Sequence, residues 1–131
     1  MSLSRTLAGL HLLVVEDEAM VALMVEDILA DLGCTAIDVA GTVAQGLALV
    51  EHPELPLDGA ILDVNIGGEK VYPVAEALAA RGVPFIFATG YGIGGISEAF
   101  SHVPALAKPY EPRSLERLLA STLNRPPPPA S

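Results

Sequence analysis

Five side chains have the types and placement for one piece of chemistry. Glu16 and Asp17 close one apolar run, Asp63 closes a second, Thr89 a third and Lys108 a fourth. Carboxylates gathered in one place repel and raise each other's pKa, so neutral pH calls for a cation among them. Mg²⁺ suits Glu16 and Asp17, because it takes one or two carboxylates and fills its remaining positions with water and phosphate oxygens. Asp63 then keeps an oxygen for nucleophilic attack. Lys108 and Thr89 supply contacts to the oxygens of a transferred phosphoryl group, a transfer that depends on positioning and charge.

The elements that must carry these residues follow from hydrophobic spacing. Leu10 to Val15 is a nearly unbroken apolar run of strand length, as in a parallel strand covered on both faces. From Asp17 as N-cap, Val21, Val25, Ile28, Leu29 and Leu32 recur at helical spacing until Gly33. Thr35 to Val39 reads as a second strand, and Thr42 with Gln45 has capping-box spacing before a second helix. Gly59 to Asp63 is the third strand. The loop 64–68 leads to a third helix with Pro73 in its first turn, running to Arg81. Val83 to Thr89 is the fourth strand, the glycine-rich 90–95 feeds a weak fourth helix near Ser97 to Phe100, and Val103 to Ala107 is the fifth strand. Pro112 opens a fifth helix whose inner stripe is Leu115, Leu118, Leu119 and Leu123. Strands alternating with helices give an α/β fold, a doubly wound five-stranded parallel sheet of order 2-1-3-4-5 with five helices. In such a sheet the carboxyl ends of the strands form the ligand crevice, and all five chemical side chains fall there.

Composition narrows the function. The 131 residues, 51% of them hydrophobic, suit a single domain over 10–124, with an arm at 1–9 and a disordered proline-rich tail at 125–131. A net charge of −9 with seven Lys and Arg argues against direct nucleic-acid binding. No apolar stretch approaches the roughly 20 residues of a membrane span, so no membrane insertion is expected. The run from Arg5 to Val15 imitates a signal peptide but meets Glu16-Asp17-Glu18 with no cleavage site, so the location expected is cytoplasmic. Cys34, the one cysteine, reads as a buried thiol. His11, His52 and His102 fall away from the site, and the glycines of 90–95 lack dinucleotide-loop spacing.

The ordered set Glu16-Asp17, Asp63, Thr89 and Lys108-Pro109 resembles the receiver domains of two-component response regulators over nearly the whole chain. That resemblance implies a flavodoxin-like fold and phosphotransfer from a sensor histidine kinase or histidine phosphotransfer protein onto Asp63. It implies Asp17 and Asp63 as direct Mg²⁺ ligands, Glu16 acting through water, and the Asn65 backbone carbonyl as a third ligand. It makes Thr89 and Lys108 the phosphate-contacting pair and Pro109 part of a cis-peptide turn. Such a domain catalyses only its own phosphorylation and dephosphorylation and is no conventional enzyme. With no output domain in view, a stand-alone regulator would signal by altered binding to a downstream protein.

More narrowly, Phe87-Ala88-Thr89-Gly90-Tyr91-Gly92 is similar to the signature of the FATGUY receivers. Ala105 stands three residues before Lys108, where receivers usually carry a switch aromatic, and Tyr91 is a candidate to replace that ring or to limit water access. Asn65 is a candidate to orient the attacking water. On the outer face of the first helix, Met20 and Leu23 are candidate contacts for the helical phosphodonor domain. The competing function is a pseudo-receiver that binds proteins without being phosphorylated. An aspartate-based phosphohydrolase would want a second acid where Asn65 stands.

Overall fold

The chain is seen in a computed structural model that describes residues 6–90, 96–108 and 110–123. Its apolar runs become strands β1 (His11–Val15), β2 (Ala36–Ala40), β3 (Gly59–Asp63), β6 (Phe85–Thr89) and β7 (Ala105–Ala107). They form one parallel sheet in the order β2-β1-β3-β6-β7. This is the order expected from sequence. Its numbering differs because a short antiparallel hairpin, β4 (Asn65–Ile66) and β5 (Glu69–Lys70), intervenes where a plain loop was expected.

The helices are α1 (Ala19–Asp31), α2 (Val43–Val50), α3 (Tyr72–Ala80) and α4 (Pro112–Thr122). The described residues thus contain four α-helices, not five. Where the fourth was expected there is a 3₁₀ turn at Glu98–Phe100. Pro104 disfavours helical backbone at Val103, leaving too short a segment to propagate a helix. The N-cap of α1 is Glu18 rather than Asp17, and no side chain caps it. Thr42 caps α2 as expected, its Oγ1 accepting from Gln45 N at 3.0 Å while Gln45 Oε1 accepts from Gly41 N at 2.9 Å.

Successive strand residues face opposite sides, which splits the core in two. Leu13, Val15, Ala60, Leu62, Phe85 and Phe87 pack against α2 and α3. Leu12, Val14, Ile61, Ile86 and Ala88 pack against α1 and α4. Gly46 permits the close fit of α2. A Cβ there would lie 3.2 Å from Val74 Cγ2 and 3.3 Å from Val15 Cγ2, both on stiff β-branched side chains. Within the described part of the arm before β1, Leu7 is anchored in this architecture, wholly buried and with its amide donating to Leu32 O at 2.9 Å. Residues 124–131, and with them the expected proline-rich tail, lie outside the described residues.

Candidate functional site

Three acids and a lysine meet at the carboxyl edge because each follows or ends a strand of the parallel sheet. Glu16 is the first residue past β1, its amide donating to Ala40 O at 2.9 Å, and Asp63 is the last of β3. Thr89 ends β6, and its carbonyl accepts from the Lys108 amide at 2.9 Å, which places Lys108 directly beyond β7. Glu16, Asp63 and Thr89 are the buried polar residues among those described. Buried charges require partners.

Lys108 provides them. Its Nζ donates to Glu16 Oε1 at 2.7 Å and to Asp63 Oδ2 at 2.8 Å, joining residues 92 and 45 positions apart. Burial alone would pull this ammonium down, but the hydrogen bonds and charges of Asp63 and Glu16 outweigh it and hold it above its ordinary value. Burial pushes the Glu16 carboxyl up to about 7. The Lys108 hydrogen bond and the Glu18 amide oppose that rise, and the Asp63 charge adds to it.

Asp63 is held at both oxygens, because Asn65 N donates to its Oδ1 at 3.3 Å. The hairpin is tied to the site again where Gly67 N donates to Asp17 Oδ2 at 2.9 Å. Gly67 and Gly68 have φ of 59° and 86°, the positive values that a two-residue hairpin turn needs at both positions and that glycine adopts without strain.

Glu16, Asp17 and Glu18 each offer a carboxylate oxygen, and these lie within 4.8 Å of one another. The donor set is hard oxygen throughout, which fits Mg²⁺ and does not favour a thiophilic metal. Cys34 lies at the opposite edge, its Sγ near Leu10 O and Ala36 O, and burial pushes its thiol up.

The structure therefore brings together Glu16, Asp17, Asp63, Thr89 and Lys108, and sets Asn65 beside them. The Asn65 side chain is engaged by Lys70, whose Nζ donates to Oδ1 at 2.6 Å. Tyr91 and Pro109 lie outside the described residues. Ala105 pairs with Phe87 in β7 and packs at the border of an aromatic cluster of Tyr72, Phe85, Phe87 and Phe100. Met20 and Leu23 are 80% and 55% exposed on α1, joined by Met24 at 39%.

Sequence reasoning missed Glu18, Lys70 and Tyr110. Glu18 was legible as the third acid of a run, and Lys70 through the Gly67-Gly68 pair that signals a hairpin. Tyr110 is buried, and its hydroxyl is pushed far up by that burial and by the charges of Glu16 and Asp63. Its nearness to the acids carries no local sequence signal. No helix among the described residues is long and apolar enough to cross a membrane.

No family model and no curated protein matches the chain. Solved structures do. The chain is similar to SdrG from Sphingomonas melonis Fr1, with 46% identity over 87% of this chain and 96% of that one at a TM-score of 0.76. It is equally identical to SdrG from Pseudomonas melonis Fr1 in its BeF3-activated conformation, over 88% of this chain and 98% of that one, TM-score 0.74. The response regulator REC domain of PhyR from Erythrobacter litoralis shares the fold, with 23% identity over 95% of this chain and 98% of that one, TM-score 0.77.

Proposed function

The chain belongs to the response regulator receiver domains, and from that premise we propose that Asp63 accepts a phosphoryl group in a Mg²⁺-dependent reaction. The donor is a phosphohistidine of a sensor histidine kinase or histidine phosphotransfer protein, met in the cytoplasm. The observation that carries this reading is the Lys108 ammonium held between Glu16 and Asp63 at the carboxyl edge of the sheet.

In the transfer, an Asp63 carboxylate oxygen bonds to phosphorus, and the phosphorus–nitrogen bond breaks with its electron pair returning to the imidazole. Lys108 fixes the Asp63 carboxylate beforehand and then faces the new phosphoryl oxygens with a positive charge that burial makes more effective. Thr89, at the end of the adjacent strand, offers a hydroxyl to the same group. Glu16, Asp17, Asp63 and the Asn65 carbonyl would hold Mg²⁺, with Glu16 acting through water. Bound there, the ion offsets the repulsion between the acids and the incoming phosphoryl donor.

The chain catalyses only its own phosphorylation and dephosphorylation, and its output is altered binding to another protein. Met20 and Leu23, exposed next to the acids on α1, form the contact for the helical phosphodonor. The run Phe87-Ala88-Thr89-Gly90 supports a place among the FATGUY receivers. The BeF3-activated conformation of SdrG supports the phosphoryl reading, since a trifluoroberyllate on a carboxylate has the shape and charge of a phosphoryl group.

Intact mass after incubation with acetyl phosphate tests the proposal. A phosphoryl adduct is expected on the wild type with Mg²⁺, and neither on Asp63→Ala nor with chelator present. Folded, Mg²⁺-loaded wild type that takes no phosphoryl group from either acetyl phosphate or a histidine kinase would overturn it in favour of a pseudo-receiver.

A further inference from the structure

The chain has two lysines, and both stand at the site. Lys108 meets Asp63, while Lys70, which the reaction described above does not use, meets Asn65 Oδ1 at 2.6 Å. The hairpin makes that meeting systematic. Its two-residue glycine turn sets Lys70 directly opposite Asn65, as a cross-strand pair. The hairpin is fastened at its base by Val71 N on Val64 O at 2.9 Å and at its tip by Gly67 N on Asp17 Oδ2. Asn65 N in turn donates to the Asp63 oxygen that Lys108 leaves free. A continuous line of contacts thus runs from an exposed ammonium through one carboxamide residue to the nucleophile.

We propose that Lys70 is a positioning residue for loss of the phosphoryl group from Asp63: by holding the Asn65 side-chain oxygen, it keeps that oxygen from orienting the attacking water. The inference rests on the reading of Asp63 as phosphoacceptor. In the hydrolysis, a water oxygen bonds to phosphorus, the bond from phosphorus to the Asp63 oxygen breaks with its pair going to the carboxylate, and a water proton passes to solvent. Inorganic phosphate and the free Asp63 carboxylate result. A carboxamide oxygen released from Lys70 accepts a hydrogen bond from that water and aims its lone pair at phosphorus. A hydrogen bond from an exposed ammonium holds the released arrangement down by on the order of fivefold, which sets the size of the effect.

The test loads the protein with acetyl phosphate and Mg²⁺, removes the donor and follows the adduct by intact mass. Lys70→Ala is expected to lose its phosphoryl group about fivefold faster than the wild type, and Lys70→Arg at the wild-type rate. The double variant Lys70→Ala with Asn65→Ala is expected to decay like Asn65→Ala alone, because Lys70 acts through Asn65. Wild-type decay in Lys70→Ala, or a double variant faster than Asn65→Ala, overturns the proposal. The tether is also read without phosphorylation: the Asn65 carboxamide NMR signals are expected to shift in Lys70→Ala and return in Lys70→Arg, and signals unmoved by Lys70→Ala overturn it. Wild type that takes no phosphoryl group from either acetyl phosphate or a histidine kinase overturns the phosphoacceptor reading instead, and the carboxamide signals then decide the tether by themselves.

Discussion

Replacing Lys108 with Met removes the charge but keeps most of the apolar stem, so the cost should report on the two carboxylates it pairs. The side chains of Glu16 and Asp63 are 1% and 9% exposed, and that of Lys108 18%. Removing one partner of a buried ion pair costs about 3–5 kcal/mol. The partial exposure of the lysine and the ease with which Glu16 takes a proton both lower that figure, to about 2–3 kcal/mol at pH 8 without Mg²⁺. At pH 5.5 Glu16 is already mostly protonated in the folded wild type, so the loss should fall to roughly 1 kcal/mol. Saturating Mg²⁺ at pH 8 should close most of the gap, and Mg²⁺ should bind the variant on the order of tenfold more tightly than the wild type. Urea denaturation at both pH values, with Mg²⁺ or chelator, measures all four conditions. A loss equal in all of them would refute the reasoning, since it would mean that Lys108 contributes packing and no charge compensation.

Glu16, whose carboxyl is raised from 4.5 to about 7, makes the wild type itself pH-sensitive. Its contribution to stability is complete below pH 4.5 and is lost as pH rises through about 7; over the same range Mg²⁺ affinity should climb by up to about tenfold per pH unit and level off above 7, as calorimetric titration would show. Arg81 clamps the end of α2 and the loop after it, donating from Nη1 to Val50 O and from Nη2 to Leu55 O, each at 2.8 Å. Arg81→Ala should cost about 1 kcal/mol in urea denaturation and leave phosphorylation by acetyl phosphate unchanged. Leu23→Asp, at an exposed position, should change stability by less than about 0.5 kcal/mol and spare phosphorylation by acetyl phosphate, while slowing transfer from the partner kinase on the order of tenfold in a phosphotransfer assay.

The fourth helix and the loop after Asp63 show where local reading gave out. Residues 96–100 carry a helix-like pattern, but too few of them lie ahead of Pro104, and a nucleus that short gains nothing from propagation. The Gly67-Gly68 pair carried a hairpin signal, yet it sat between strands of two residues each, below the length at which alternation can be recognised. Tyr110 became part of the site only through what surrounds it.

The sequence by itself determined the five strands of the main sheet, their order and the edge at which Glu16, Asp17, Asp63, Thr89 and Lys108 gather. Burial on two faces writes a near-continuous apolar run into each central strand, and chain connectivity restricts how such strands can be wound. Only the tertiary structure decided which charges touch: that Lys108 divides itself between Glu16 and Asp63, that Asp17 holds the tip of a hairpin, and that Lys70 takes Asn65. Contacts between residues up to 92 positions apart depend on strand register and turn geometry, which are set by the packing of the whole sheet.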